Sequence, residues 1–539
     1  MLAAQPEKRK RRRGAKARAL LEENKSTNAP KKPMIKEEKS KSDHSGAKSL
    51  REKVEEALGK KKQDETIDQN SSGKKKKRKA PLLGEEGYLS KTQMRNARKR
   101  RAKQRKREVL EKNEGSQKKK NQDNKSKDPS QRYIKDPRSA PLLKKAKNYF
   151  KGLKTPFKIH LQQVTGWRTV CKLPVRRATD DNSCVIGLFK QGSHEIVRVP
   201  DCPAHHESIN KMIRHLEAEI DSHGIEPFNE FEGTGILRYV CINVERSTGK
   251  VQLTLVWNSK PYAKDDESAE KLLLEKFTNH LTENAAEIGL HSLWVHFNNQ
   301  WKHADNIFDY GSKDSSEILW KHLYGPEYIE ETLNLSDCKT PEDVKLCFPP
   351  NVFRQANIDA FSNIVVAIRR YIKTYNKKRN SKKLPSCVEL YGGVGTIGLN
   401  MYDLFSNFIS SDENPYNKKC FEISSSSLPT KNERSYIPKN ATDVIEQENI
   451  LSKDCEVVIV DPPRKGLDPV VTQAFIDSSK RTDGPKLLVY VSCGFDAFTR
   501  DCNALVESGQ WVLKKTEGHI LFPGSDHLET LAFFESTSN

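Results

Sequence analysis

A lone cysteine, Cys493, closes the apolar run Tyr490-Val491-Ser492 and is followed by Gly494 and Phe495. Upstream stands Asp461-Pro462-Pro463-Arg464-Lys465-Gly466-Leu467-Asp468, which sets a carboxylate beside a basic pair. Downstream stands Phe522-Pro523-Gly524-Ser525-Asp526-His527-Leu528-Glu529, which ends in a second carboxylate. A thiol, a cation and two acids are the parts needed for covalent chemistry on a ring: the thiolate adds, and a base later removes a proton. A buried cysteine is by itself most often an inert apolar residue. The strand-end position of Cys493 beside glycine turns the reading toward a nucleophile. Cys502 sits in a helix-like segment and reads as structural.

These residues need a scaffold that presents them on one edge. Cys387–Tyr391, Asn407–Ser411, Glu456–Val460 and Lys486–Val491 are short apolar runs with helix-length segments between them. Strands alternating with helices predict a doubly wound α/β domain. Ligands in such sheets sit at the carboxyl ends of the strands. Gly392-Gly393-Val394-Gly395-Thr396-Ile397-Gly398 follows the first run and reads as a glycine turn opening a helix. It lacks the Gly-Lys-Ser/Thr of a P-loop, and its glycines permit close approach to a ligand. Asp412 and Glu413 end the next strand, where a carboxylate can hold ribose hydroxyls. Proline cannot donate to a ladder, so Pro462 and Pro463 must end their strand and present Asp461 at the sheet edge. Asn357–Tyr375 has helical periodicity, whereas 416–439 reads as irregular and Ser-rich.

The preceding region is mixed α+β. Val185–Phe189 and His194–Val199 flank a Lys-Gln-Gly-Ser turn and predict a hairpin. Ser208–Ser222 and 269–288 read as helices, and Ile236–Val244, Val251–Trp257 and Ser292–Phe297 as strands.

The first quarter of the 539-residue chain differs in kind. Residues 1–140 hold 45 of the 94 Lys and Arg residues and 20 acids, a net of +25, against −3 for the remainder. They contain two aromatics, Tyr88 and Tyr133, and no cysteine. Such a segment buries too little apolar surface to offset chain entropy and is expected to be mostly disordered, with a basic helix possible over 91–113. The runs Lys8–Arg13, Lys74–Lys79 and Arg98–Arg101 suit nuclear import, RNA phosphates, or both. A nuclear or nucleolar location is expected, with plastid or mitochondrion as the alternative. The polar start predicts no secretory signal, and no run is long and apolar enough to span a membrane. Eleven cysteines include no Cys-x-x-Cys pair, so a zinc ribbon, an iron–sulfur cluster or another metal is not expected.

Five blocks in order carry a family resemblance: Phe353-Arg354-Gln355-Ala356-Asn357, Glu389–Gly395, Asp461–Asp468, Tyr490–Cys493 and Phe522–Glu529. The chain resembles the S-adenosylmethionine-dependent RNA uracil-5 methyltransferases, which form 5-methyluridine in tRNA and rRNA. The resemblance covers 345–539 strongly and 165–260 more loosely. It implies a Rossmann-like class I methyltransferase domain over 345–539, a central α+β RNA-binding domain over 141–344 and a basic tail over 1–140. By position, Cys493 is implied as nucleophile and Glu529 as base. Gln355, Tyr391, Thr396, Asp412 and Asp461 are implied to line the pocket for S-adenosylmethionine and the target base. The cofactor is S-adenosylmethionine and the partner RNA, either tRNA or rRNA. The required thiolate implies a lowered cysteine pKa, with Arg464 or the sulfonium as the source of charge. The chain departs from the family by Gly494-Phe495 where Asn-Pro is common, and by lacking both the iron–sulfur cysteines and an N-terminal barrel of many bacterial relatives. A catalytically silent RNA-binding or ribosome-assembly factor on the same fold is the alternative, and a methyltransferase acting on another substrate is a third.

The charge asymmetry sets a first prediction. Removing the tail should weaken RNA binding and flatten its dependence on salt without unfolding the rest, as measured by binding titrations at several salt concentrations.

Overall fold

The computed structural model describes residues 129–538, apart from 191–192, 301–306, 309–317, 337, 380, 430–431, 449 and 453–454. Residues 1–128, and with them the expected disorder and the helix over 91–113, lie outside the described residues.

The described chain opens with α1 (Pro141–Gly152) and β1 (Phe157–Leu161). A first sheet is built from β2 (Val170–Arg177), β3 (Cys184–Phe189), β4 (Ile196–Arg198), β5 (Leu237–Val244), β6 (Val251–Trp257), β7 (Leu290–Phe297) and β8 (Trp320–Tyr324). Helices α2 (Glu207–Ser222) and α3 (Ala269–Glu283) interrupt it. Its order is β4-β3-β2-β5-β6-β7-β8. β6 and β7 run parallel, with α3 as the crossover, and the other pairs are antiparallel. Ile209, Met212, Ile213, Leu216 and Ile220 form the buried stripe of α2, on the spacing read from the sequence.

A ribbon of β9 (Ile329–Glu331) and β10 (Leu346–Phe348) leads to α4 (Ile358–Lys378). The second sheet contains β11 (Ser386–Leu390), β12 (Asn407–Ser411), β13 (Glu433–Ile437), β14 (Cys455–Val460), β15 (Leu487–Ser492), β16 (Trp511–Ile520) and β17 (Glu529–Ser536). Its helices are α5 (Asn417–Ser426), α6 (Ala441–Glu448), α7 (Pro469–Ser478) and α8 (Phe495–Glu507). The order is β1-β16-β17-β15-β14-β11-β12-β13, with β17 antiparallel to both of its neighbours. Alternate residues feed two cores. Val457, Ile459, Val489 and Val491 enter one with α4, while Val458, Val460, Leu488 and Tyr490 enter the other with α1, α7 and α8. Strands buried on both faces explain the unbroken apolar runs of β14 and β15. The chain is thus a mixed α/β protein with two sheets.

Three expectations change. Residues 141–161, expected in the central region, join the second sheet. β1 pairs in parallel with β16, and Leu143, Ala146 and Phe150 of α1 enter the core beside Phe498 and Trp511. The 416–439 segment is regular: α5 buries Cys420 and Phe421, and β13 pairs with β12. Backbone ladder bonds form there whatever the side chains, which a composition argument cannot see. The glycine turn opens into a 3-10 turn over Leu399–Leu404 rather than an α-helix. The reason is proximity: a Cβ on Gly398 would lie 1.9 Å from the Phe408 ring, and Gly398 N donates to Glu389 at 2.9 Å.

The two sheets meet through Phe353–Asn357. Arg354 is buried, pairs with buried Glu331 and donates to Val244 O at 2.9 Å. Arg246 Nε also reaches Glu331, at 2.8 Å, and the Arg246 guanidinium pairs with Asp359 on α4. Thr169 N donates to Ala356 O at 2.9 Å, and Asn357 Nδ2 to Leu521 O at 2.8 Å.

Two predictions follow from this packing. Tyr133 N donates to Gly524 O at 2.8 Å, so residues 129–140 belong to the fold and the tail truncation should stop at residue 128. Arg354→Ala strands the Glu331 carboxylate in the interior, and breaking a buried pair costs about 3–5 kcal/mol. Urea unfolding should show that loss as a lower midpoint.

Candidate active site

Four parallel strands end on one edge of the second sheet. Leu390 pairs with Ser411 on one side and Val460 on the other, and Val460 pairs with Tyr490. The next residues in the chain, Tyr391, Asp412 and Asp461, therefore emerge together. The order of the sheet reverses between β11 and β14, which makes this edge the switch-point crevice of a doubly wound fold. Tyr391 holds φ at +59°, left-handed for a non-glycine residue, a conformation that clusters at functional sites.

β17 completes the edge. Its antiparallel register pairs Ser492 with Thr530, so one step further Cys493 stands opposite Glu529. Glu529 is buried at 4 % exposure, while Cys493 is half-buried and open to the crevice. Asp526, the other acid of the same loop, is exposed and turned to other work: it accepts a hydrogen bond from Leu142 N at 2.8 Å and anchors the start of α1.

The Asp461–Asp468 loop is fastened from below by Asp501, a buried residue of α8. Asp501 accepts from Leu467 N at 2.8 Å and from the Tyr490 hydroxyl at 2.7 Å. Arg500 adds bonds to Lys465 O and Leu467 O. Above, the loop lies on Gly494, where a Cβ would come within 2.3 Å of Arg464 O. Glycine after Cys493 is thus a steric requirement of this packing, which accounts for its place in the chain.

The electrostatics of the edge are dominated by burial. The Cys493 thiol is pushed up to about 12, first by burial and then by Glu529 and Asp461, with Arg464 opposing. The sequence reading expected the opposite sign. Arg464 does act in the expected direction, but its exposed side chain is outweighed by two carboxylates in a desolvated crevice. Burial and Asp461 raise the Glu529 carboxyl well above the usual range, and burial and Asp412 raise Asp461 to about 7. His527 is pushed down to about 4 by burial, Arg464 and Arg168, so it is neutral, and its Nε2 lies 3.9 Å from Glu529 Oε1, beyond hydrogen-bond range.

The remaining sequence-derived residues divide between the crevice and its frame. Asp412 accepts from Gly393 N at 3.1 Å, Asn414 N at 2.9 Å and Asn417 Nδ2 at 3.0 Å, so it braces the glycine turn, while Glu413 is exposed. Glu389, which sequence reasoning did not assign, is buried beneath the turn and accepts from Gly398 N and Ser410 Oγ. Thr396 is half-buried in that turn, and its carbonyl accepts from Asn400 Nδ2 at 2.9 Å. Gln355 is half-buried between Arg354 and Ala356, at the junction of the two sheets. Arg168 and Trp167 were also missed: the Arg168 guanidinium lies 4.8 Å from the Trp167 ring and 5.4 Å from Phe522, against the loop that carries Glu529. Nothing in local periodicity marks such a contact between distant segments.

Gly494→Ala should displace the Arg464 loop from Cys493. Overpacking of this kind costs about 1–3 kcal/mol. Turnover should fall by more than the loss of folded protein explains, which circular dichroism beside a methyl-transfer assay separates.

No family model matches the chain. It is 34% identical over 397 residues to an uncharacterised RNA methyltransferase of Protochlamydia amoebophila, covering 73% of this chain and 92% of that protein. An uncharacterised RNA methyltransferase of Lactococcus lactis is 24% identical over 378 residues, covering 68% of this chain and 70% of the other. Among solved structures, the tRNA (uracil-54, C5)-methyltransferase of Pyrococcus abyssi in complex with S-adenosyl-L-homocysteine superposes with a TM-score of 0.50 at 21% identity, over 72% of this chain and 81% of that one. That last likeness is one of fold. The first, over nearly the whole of its relative, establishes kinship: the chain belongs to the RNA methyltransferases.

Proposed function

We propose that the chain methylates C5 of a uridine in RNA through a covalent adduct on Cys493, with S-adenosylmethionine as methyl donor. The observation that supports it most is the register of β15 and β17, which sets a thiol opposite a buried carboxylate at the ligand edge of the sheet. The residues present suit the donor. A Cβ on Gly393 would meet nothing within 4 Å, so the backbone of the turn is open to close approach by a ligand. Asp412 and Asp461 stand at neighbouring strand ends beside it. S-adenosylmethionine supplies the methyl group and a sulfonium charge.

Cys493 adds to C6 of the uracil, its proton leaving with the addition, and the ring carries the electrons to C5, which accepts the methyl. Glu529 removes the C5 proton, the C6–S bond breaks, and the thiol is restored. Glu529 is neutral when the crevice is empty and must be ionised at the elimination step. The positive charge of Arg464, one of the groups that acts on it, favours that form. The target base has to leave its stack to reach Cys493. The relative's solved fold, whose name includes a uracil C5 activity, favours uridine over other bases. A silent RNA-binding factor needs neither Cys493 nor Glu529.

Glu529→Gln should permit addition and methyl transfer but stall elimination, since an amide keeps the shape without a basic oxygen. A methylated protein–RNA adduct should survive denaturation and vanish when Cys493→Ala is added. Normal turnover without a trapped complex removes Glu529 as base. Nucleoside mass spectrometry of RNA from cells lacking the protein identifies the RNA class by its loss of 5-methyluridine.

Asp461 gives a pH test. Its carboxyl is raised to about 7, so it is neutral below that and ionised above. A bound sulfonium favours the ionised form, so donor affinity should strengthen by up to about tenfold per pH unit as pH rises toward 7 and level off above 8. Asp461→Asn should flatten that slope in calorimetric titrations.

A further inference from the structure

Away from the crevice, at the far edge of the second sheet, β1 and β16 carry three groups with metal-ligand chemistry. The parallel register pairs His160 with His519 and Lys158 with Glu517, so His160, Glu517 and His519 share one face. Their nearest ligand atoms all lie within 4.8 Å of one another. His160 Nε2 is 3.5 Å from Glu517 Oε2, and His519 Nε2 is 3.3 Å from the same oxygen.

Both imidazole nitrogens are buried atoms that make no hydrogen bond, and His519 is only 2 % exposed. A charge-assisted hydrogen bond to a carboxylate would close to roughly 2.7–2.9 Å with the donor aligned. The distances here are longer and match another geometry. Two ligands of a tetrahedral zinc ion, each about 2.0–2.1 Å from the metal, stand roughly 3.3–3.4 Å apart. The other oxygen of Glu517 is taken by Lys515 Nζ at 2.8 Å, which leaves Oε2 as the single oxygen facing both rings and holds the carboxylate in place. The rings stack at 4.8 Å with 14° between planes, so both nitrogens point the same way. A second cluster, His215, Glu219 and His280, differs: His280 Nε2 lies 3.0 Å from Glu219 Oε2, an ordinary ion-pair contact.

We propose that His160, Glu517 and His519 bind one borderline divalent transition metal, zinc by the softness and geometry of two imidazoles and a carboxylate. The ion would clasp β1, which enters from the start of the described chain, onto β16 near its end. It lies outside the methyl-transfer crevice, so its role is to hold the sheet edge. Spacing along the chain could not reveal it, because its ligands come from strands separated by most of the described sequence.

The test uses the full chain, stripped with a chelator and dialysed. Zinc binding is followed by competition with a chromophoric chelator, and thermal unfolding is recorded with and without zinc. One ion per chain should bind to the parent and raise its melting temperature. His160→Ala combined with His519→Ala should bind at least about tenfold more weakly and lose the shift. X-ray absorption of the zinc-loaded parent needs no variant and should show a nitrogen and oxygen shell without sulfur. A sulfur shell places the ion on cysteines and overturns the proposal. So does equal binding by the double variant, or a loss of binding in His215→Ala with His280→Ala instead. Should the double variant fail to fold, Glu517→Gln replaces it. The same weakening supports the site, and unchanged affinity with an unchanged thermal shift overturns it.

Discussion

The antiparallel insertion of β17 between β15 and β16 is the constraint on which this molecule depends. Parallel strands alone deliver residues to one edge from successive crossovers, each with its own loop. A strand running the other way delivers its first residue to that same edge, and here that residue is Glu529. A slip of one residue would turn Glu529 to the opposite face and feed the wrong side chains to both cores. Register is therefore held by packing far from the crevice, through Leu531 and Phe533 on one face and Ala532 and Phe534 on the other. The site inherits its geometry from that core.

Burial then decides the charges. Cys493, Glu529 and Asp461 are gathered where water is thin, and each is held in its neutral form more firmly than it would be in solvent. Arg464 opposes this at the mouth of the crevice without reversing it. A site arranged this way holds its thiol inert when empty. Arrival of positive charge shifts all three groups in the same sense, toward ionisation. The resting and reacting states then differ by occupancy of the site, with no change of fold required.

Much of the site was legible because its residues sit at places where sequence has few freedoms. Asp461 precedes two prolines that must end a strand, Cys493 follows an apolar run, and glycines mark the turn after β11. Hydrophobic alternation and strand-length runs likewise yielded β5, β6, β12, β14 and β15 nearly residue for residue. What stayed hidden depends on distant partners. Asp501 reads as any helix acid until it is seen beneath Leu467 and Tyr490. The attachment of α1 and β1 needed knowledge of β16, more than 300 residues later. The pKa of Cys493 had the wrong expected sign because sequence names the neighbouring cation but cannot weigh it against desolvation. The Ser-rich stretch after Asp412 folded regularly because β12 offered its open edge to β13.

The junction between the two sheets explains why the Phe353–Asn357 block travels with the chemistry at all. Four of its five residues have evident work or position. Arg354 anchors in Glu331 and Val244, Ala356 accepts from Thr169, Asn357 ties to Leu521 and caps α4 through Ala360 N, and Phe353 stays exposed. Gln355 is carried between two of these anchors, so its position is fixed by backbone contacts on both sides. Leu521 in turn precedes Phe522, whose ring meets Trp167 and His527. A single chain of contacts thus runs from the first sheet, through Trp167 and Thr169, to the loop that presents Glu529. Whatever RNA the first sheet engages, its grip is communicated to the base-removing carboxylate through packed side chains, which makes the junction part of the site and not merely a hinge beside it.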